Sequence, residues 1–270
     1  MLIAFQLLSG KDITMTITQS MRSYMQDLKS LSELKSFQYF NKKDEKFESI
    51  YKKAKDQDVD LANAKDILRT LSEQEFAIIQ KYKSLADPIK IDSLSQEGAY
   101  NLLVHNYENL DYDGDGYIEI GIGKSVPMIP QEVPHAFREK FIASLKEMKR
   151  NGASDTEVTM ATIATFGTYA LSKNEKLRYE DDLSFRELLK QHGIDKYVLQ
   201  TPSFDDDYIL RMKYELENPK AGEYRSEEFV IAMKKFFSAY ENVSKSWGKE
   251  PRPAVEKIVF DYKIKVKQEK

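Results

Sequence analysis

The chain has 270 residues, of which 41% are hydrophobic and 31% charged, with 11 Gly, 8 Pro and a formal net charge of −3. That length and apolar content support a continuous interior, as one large domain or two ordinary ones, and the high charge with sparse Gly and Pro favours helices with solvated faces. Cysteine is absent, which excludes disulfides, thiolate metal ligands and cysteine nucleophiles.

The opening Met1 to Leu8 is apolar but lacks a basic leader and is broken by Gln6, so it reads as a short buried strand or as an extension ahead of a start at Met15. On that reading the protein is cytoplasmic by default, with a periplasmic or secreted location as the alternative. Ile17, Met21, Tyr24, Leu28, Leu31, Leu34 and Phe37 recur at steps of three and four and predict one long amphipathic helix, packed in a core rather than a coiled coil. A second helix carries Phe47, Ile50, Tyr51 and Ala54, and a third runs from Asp60 to Leu71. Ser72 and Glu75 form a capping-box pattern that starts a fourth, carrying Phe76, Ile79 and Tyr82 toward Leu85 and stopped by Pro88.

Leu94 to Leu110 reads as a helix that runs directly into an aspartate-rich loop. Tyr117 to Gly123 then reads as a strand, and Pro127, Pro130 and Pro134 keep the following chain extended. Helix returns from His135 to Arg150, and Ser154 with Glu157 caps another that reaches about Leu171. Ser184 to Glu187 opens a short helix stopped by Gly193, and further helices span Asp205 to Glu217 and Ser226 to Ser246, the last closed by Trp247 and Gly248. Phe260, Tyr262, Ile264 and Val266 alternate with charged residues, the period of a half-buried strand that would pair with the Tyr117 strand or with the N-terminal one. The expected fold is therefore mainly α, a multi-helix globular fold with short β-strands near 117–122 and 259–266. Its helical domain, 1–172, holds the aspartate loop (111–122), and 173–270 forms a C-terminal helical region with the terminal strand, either in the same domain or as a second one. The polar region from Ser172 to Asp182 is the best place for a boundary.

Charge is unevenly spread. Between Lys90 and Lys124 there is no Lys or Arg, while seven acidic residues fall there, so this window carries −7 and the rest of the chain +4 against the total of −3. At its centre, Asp111, Asp113 and Asp115 sit two residues apart and are followed by Gly116. Hard oxygen donors at alternate positions with a glycine at the bend are what a calcium ion asks of one loop. The basic C-terminal stretch is interrupted by Glu250, Glu256, Asp261 and Glu269, so a nucleic-acid partner is not expected, and no segment approaches the roughly 20 apolar residues of a membrane span.

This loop resembles the DxDxDG calcium-binding loops of the EF-hand and its relatives over about a dozen residues. The resemblance implies side-chain ligands from Asp111, Asp113 and Asp115, a backbone carbonyl from Tyr117 and a further carboxylate, direct or through water, from Glu119. The twelfth position, where the pattern places a bidentate glutamate, is Ile122, and the outgoing element is a strand. This looks like a helix-loop-strand variant completed by a remote carboxylate, with Glu97, Glu108, Glu132 and Glu139 as candidates. Calcium is the expected ion, bound weakly, and magnesium the lesser candidate because it demands a tighter octahedron.

His105, His135 and His192 lie in no zinc-ligand spacing, so a transition-metal site is not expected. Gly121 to Ser125 brushes against a phosphate loop, but Ile118 occupies its first glycine and Pro127 blocks the helix that should follow. The acidic triplets at 180–182 and 205–207 read as helix caps. The expected function is calcium binding in a non-catalytic structural or protein-interaction protein. The alternatives are a hydrolase with a structural calcium and an unlocated carboxylate pair, and a helical adaptor whose loop binds nothing.

Overall fold

The structure is a computed structural model and describes residues 18–179, 204–219 and 225–246, with side chains of the first segment through 167. The N-terminal strand, the helix at 184–193, the acidic triplet at 180–182, the Trp247–Gly248 stop and the terminal strand at 259–266 lie outside the described residues.

The fold is mainly helical, with one short antiparallel sheet among the described residues. Its helices are α1 (Gln19–Leu31), α2 (Glu45–Lys55), α3 (Ala64–Arg69), α4 (Glu73–Lys83), α5 (Gln96–Leu103), α6 (His135–Arg150), α7 (Asp155–Tyr179), α8 (Asp206–Glu217) and α9 (Glu227–Ser246). None is long and apolar enough to cross a membrane.

Local chemistry explains where helices start and stop. Both reciprocal caps expected from sequence form: Ser72 and Glu75 exchange backbone bonds at the start of α4, and Ser154 and Glu157 do so ahead of α7. Asp205 accepts the Tyr208 amide at 2.9 Å and so caps α8.

The expected first helix is divided. The Ser32 hydroxyl donates to the Lys29 carbonyl, and Leu34 is extended before a 3₁₀ segment (Lys35–Asn41) that still turns Leu34, Phe37 and Phe40 inward. The third helix starts late because Asp60 and Asn63 build a side-chain turn on each other's amides, at 2.8 Å in both directions. The fourth ends at Lys83 rather than at Pro88, with Ser84 left-handed (φ 57°) and the Leu85 amide returning to the Gln80 carbonyl.

Two apolar cores result among the described residues. Helices α1, α6, α7, α8 and α9 surround the first, where Phe137, Phe141, Phe166, Phe204 and Phe236 meet edge-on or tilted. Elements on both sides of 172–182 thus contribute to it. Helices α2 to α5 enclose the second, in which the rings of Phe47 and Tyr82 stack. Tyr112 packs against both cores, so the acidic loop lies at their seam.

The expected strand over Tyr117 to Gly123 is in fact a hairpin: β1 (Ile118–Ile120) pairs with β2 (Gly123–Ser125), with Ile118 opposite Ser125 and Ile120 opposite Gly123. Gly121 and Ile122 form its two-residue turn, and a glycine at the first turn position suits the twist of the strands. The far side of this turn presses on α5, where the Gly121 amide donates to the Gly98 carbonyl at 3.1 Å. A Cβ on Gly98 would collide with the Gly121 carbonyl oxygen, a rigid backbone atom. Gly98→Ala is therefore expected to destabilise the protein by about 1–3 kcal/mol, read as a lower urea midpoint at unchanged slope.

Candidate metal centre

Helix α5 is buried on every side from Glu97 to Leu103. A glutamate and an asparagine one turn apart on such a helix must find polar partners, and both find them in the acidic loop. Asn101 accepts the Leu110 amide at 3.1 Å and donates to the carbonyls of Leu110 (3.0 Å) and Glu119 (2.8 Å). Glu97 accepts the amides of Tyr112 and Glu119, each at 2.7 Å, through different oxygens. The incoming and outgoing arms of the loop are thus fastened to two adjacent turns of one helix. On the other side, Gln131 makes a paired contact with the Asp111 backbone, accepting its amide at 3.2 Å and donating to its carbonyl at 2.9 Å.

The helix expected to run to Leu110 stops at Leu103. The chain turns through an extended Val104 and a 3₁₀ turn (Asn106–Glu108), which brings Leu110 back beside Asn101. Buried Lys83 fixes this corner by donating to the Val104 carbonyl (2.6 Å) and to the side-chain oxygens of Asn106 and Asn109 (3.0 Å each).

Within the loop, Asp111 accepts the Gly114 amide at 2.7 Å on one oxygen and the Gly116 amide at 2.9 Å on the other. Asp113 accepts the Asp115 amide, and Asp115 the Tyr117 amide. Gly116 has φ +87°, a conformation that a side chain at this bend would resist. Each of these contacts uses acceptor capacity on a carboxylate oxygen, which carries two lone pairs.

The sequence-predicted residues fall into two groups. One oxygen from each of Glu97, Asp111 and Asp113 lies within 4.8 Å of the other two, with the first two residues buried and Asp113 exposed. Oxygens bound to one calcium at about 2.3–2.6 Å lie at most about 4.6–5.2 Å apart, so these three fit a shared shell. Asp115 and Glu119 are instead bridged by the Lys124 ammonium, at 3.1 and 2.7 Å, and Glu119 also accepts the Ser95 hydroxyl. Lys124 faces Glu119 across the hairpin and lies 5.7 Å from the centre of the Tyr117 ring. Of the four remote carboxylates, Glu97 joins the group, while Glu108 engages Tyr51 and Lys55, Glu139 faces His135 and Glu132 is exposed.

Burial pushes the Glu97 carboxyl up to about 7, assisted by the charges of Asp111 and Asp113 and opposed by its two amide bonds. Burial also acts on Glu119, but its bonds to Lys124 and Ser95 outweigh it and hold this carboxyl below its ordinary value. Lys124 is raised by Glu119 and Asp115. In the sequence Lys124 marks only the edge of the acidic window; the signal of its role is the position that a two-residue turn places opposite Glu119. Comparison with protein-family models, with curated proteins and with solved structures gives no match for this chain.

The folded chain holds the Glu97 proton where an unfolded one, with a carboxyl near about 4.3, has released it. The associated stabilisation is complete below that lower value and is lost as pH rises toward about 7. Without added divalent ions, the melting temperature of the wild type should fall more steeply between about pH 5 and 7 than that of Glu97→Gln. Equal slopes by scanning calorimetry would show that Glu97 carries no such proton.

Proposed function

We propose that the protein binds one calcium ion at Glu97, Asp111 and Asp113, in a helix-loop-strand relative of the DxDxDG loop, and that the ion stiffens this segment for contact with another protein. The observation that supports this reading is the arrival of Glu97, from a buried helix fourteen residues upstream of Asp111, within bonding range of the same centre as two loop aspartates. It supplies the carboxylate that Ile122 at the twelfth loop position does not. Three carboxylates concentrate negative charge that a hard divalent cation offsets, and calcium tolerates the irregular shell that backbone-bonded aspartates leave. With Asp115 and Glu119 engaged by Lys124, the site is weak, with dissociation near about 10⁻⁴–10⁻³ M.

The Lys124 bridge favours a second reading, in which the ammonium serves as the loop's own counter-ion and no metal is taken up. Calorimetric titration with calcium and thermal melts separate the two. Ten-millimolar-range calcium should stabilise the wild type by on the order of 1–3 kcal/mol relative to sodium chloride of equal ionic strength. The double variant Glu97→Gln, Asp113→Asn should show no such gain. A wild-type melt indifferent to calcium would leave the lysine-closed loop as the correct description.

A further inference from the structure

At the start of α6, remote from the loop carboxylates in role though joined to them through Gln131, a histidine is held in a defined orientation. His135 places Nδ1 2.9 Å from Oδ2 of Asp27, a residue of α1 that lies 108 positions earlier and is buried. The same oxygen accepts Nε of Arg138 at 2.6 Å. Arg138 is itself buried, with its centre 5.2 Å from the Tyr24 ring, and it donates to the carbonyls of Gln131 and Val133. A guanidinium only donates, so the Oδ2 that Arg138 shares with His135 serves as an acceptor. Nδ1 of His135 must then be the donor, and in the neutral ring the lone pair is on Nε2.

That second nitrogen faces outward. The His135 side chain is 45% exposed, and its Nε2 lies 3.7 Å from Oε2 of Glu139, one turn along the helix and 53% exposed. A histidine whose inner N–H is fixed by a buried carboxylate, with its outer nitrogen free to ligate, is the arrangement by which proteins orient imidazole toward zinc. Zinc at its usual distances to nitrogen and carboxylate oxygen spaces two tetrahedral ligands about 3.4 Å apart. The observed separation is a few tenths of an ångström wider, which rotation of an exposed glutamate closes.

We propose that His135 and Glu139 form a surface site for a borderline divalent transition metal such as Zn²⁺, with Asp27 as the positioning residue behind the imidazole and water completing the shell. Imidazole with one carboxylate suits zinc, nickel or copper and is a poor match for calcium, so this site and the loop select different ions. The two ligands lie four residues apart on α6, whereas the residue that orients His135 comes from another helix and leaves no local signal in the sequence.

The test is isothermal titration of the full chain with Zn²⁺ at neutral pH, with long-range ¹H–¹⁵N spectra of the histidine rings. The wild type should bind one equivalent, shift the Nε2 resonance of His135 and show its Nδ1-protonated tautomer beforehand. His135→Gln should remove the binding, and Glu139→Gln, at an exposed position, should weaken it at least tenfold. Asp27→Asn should weaken it about 10–100-fold and mix the tautomers. Should Asp27→Asn fail to fold, the two exposed substitutions still decide the matter. Glu97→Gln should leave the zinc isotherm unchanged, so failure here and failure of the calcium reading are separable. Identical isotherms for the wild type and His135→Gln, or no heat with millimolar zinc, would overturn the assignment.

Discussion

Everything near the acidic loop depends on two polar side chains carried by a helix with no exposed face. Glu97 and Asn101 project from adjacent turns of α5 into the amides and carbonyls of residues 110, 112 and 119. A buried amide or carboxylate oxygen left without its partner costs about 1–3 kcal/mol, so each contact holds both the helix and the loop in place. The hairpin turn adds a backbone bond at Gly98, where the two main chains approach too closely for any side chain. Helix, loop and hairpin behave as one unit because their polar groups satisfy one another.

That unit sits where two apolar cores meet, and polar ties hold the seam. Lys83 is buried among Phe47, Tyr82 and three neutral oxygens, and burial lowers its pKa well below that of a surface lysine. Its ammonium has three donors and meets three acceptors, so the corner after α5 is fixed by hydrogen bonding rather than by an ion pair. On the opposite side, Arg138 and Asp27 tie α6 to α1, and Gln131 links that pair to the backbone of Asp111. A change in the geometry of the loop therefore has a continuous polar route to the N-terminal end of α6.

The seven acidic residues of the central window do not act as one patch. Three of them lie close together, two are bridged by Lys124, and Glu108 is drawn into contacts with Tyr51 and Lys55. Asp92 pairs with Arg69 at the surface, where such contacts contribute little. The field that the window would generate as a uniform charge run is thus divided into one cluster of three carboxylates and several ion pairs.

Sequence alone determined the helical class, the position of α6 to the residue, and both reciprocal caps, because helical periodicity and capping chemistry act within four residues of their own position. It also picked out the aspartate loop and left Glu97 as one of four possible remote carboxylates. Only the tertiary structure decided among those four, divided the loop's acids between the carboxylate cluster and Lys124, turned the expected strand into a hairpin, and set Asp27 behind His135. Each of these depends on two segments far apart in the chain meeting, and burial of α5 between loop and core, rather than any local preference, is what brings the first of them together.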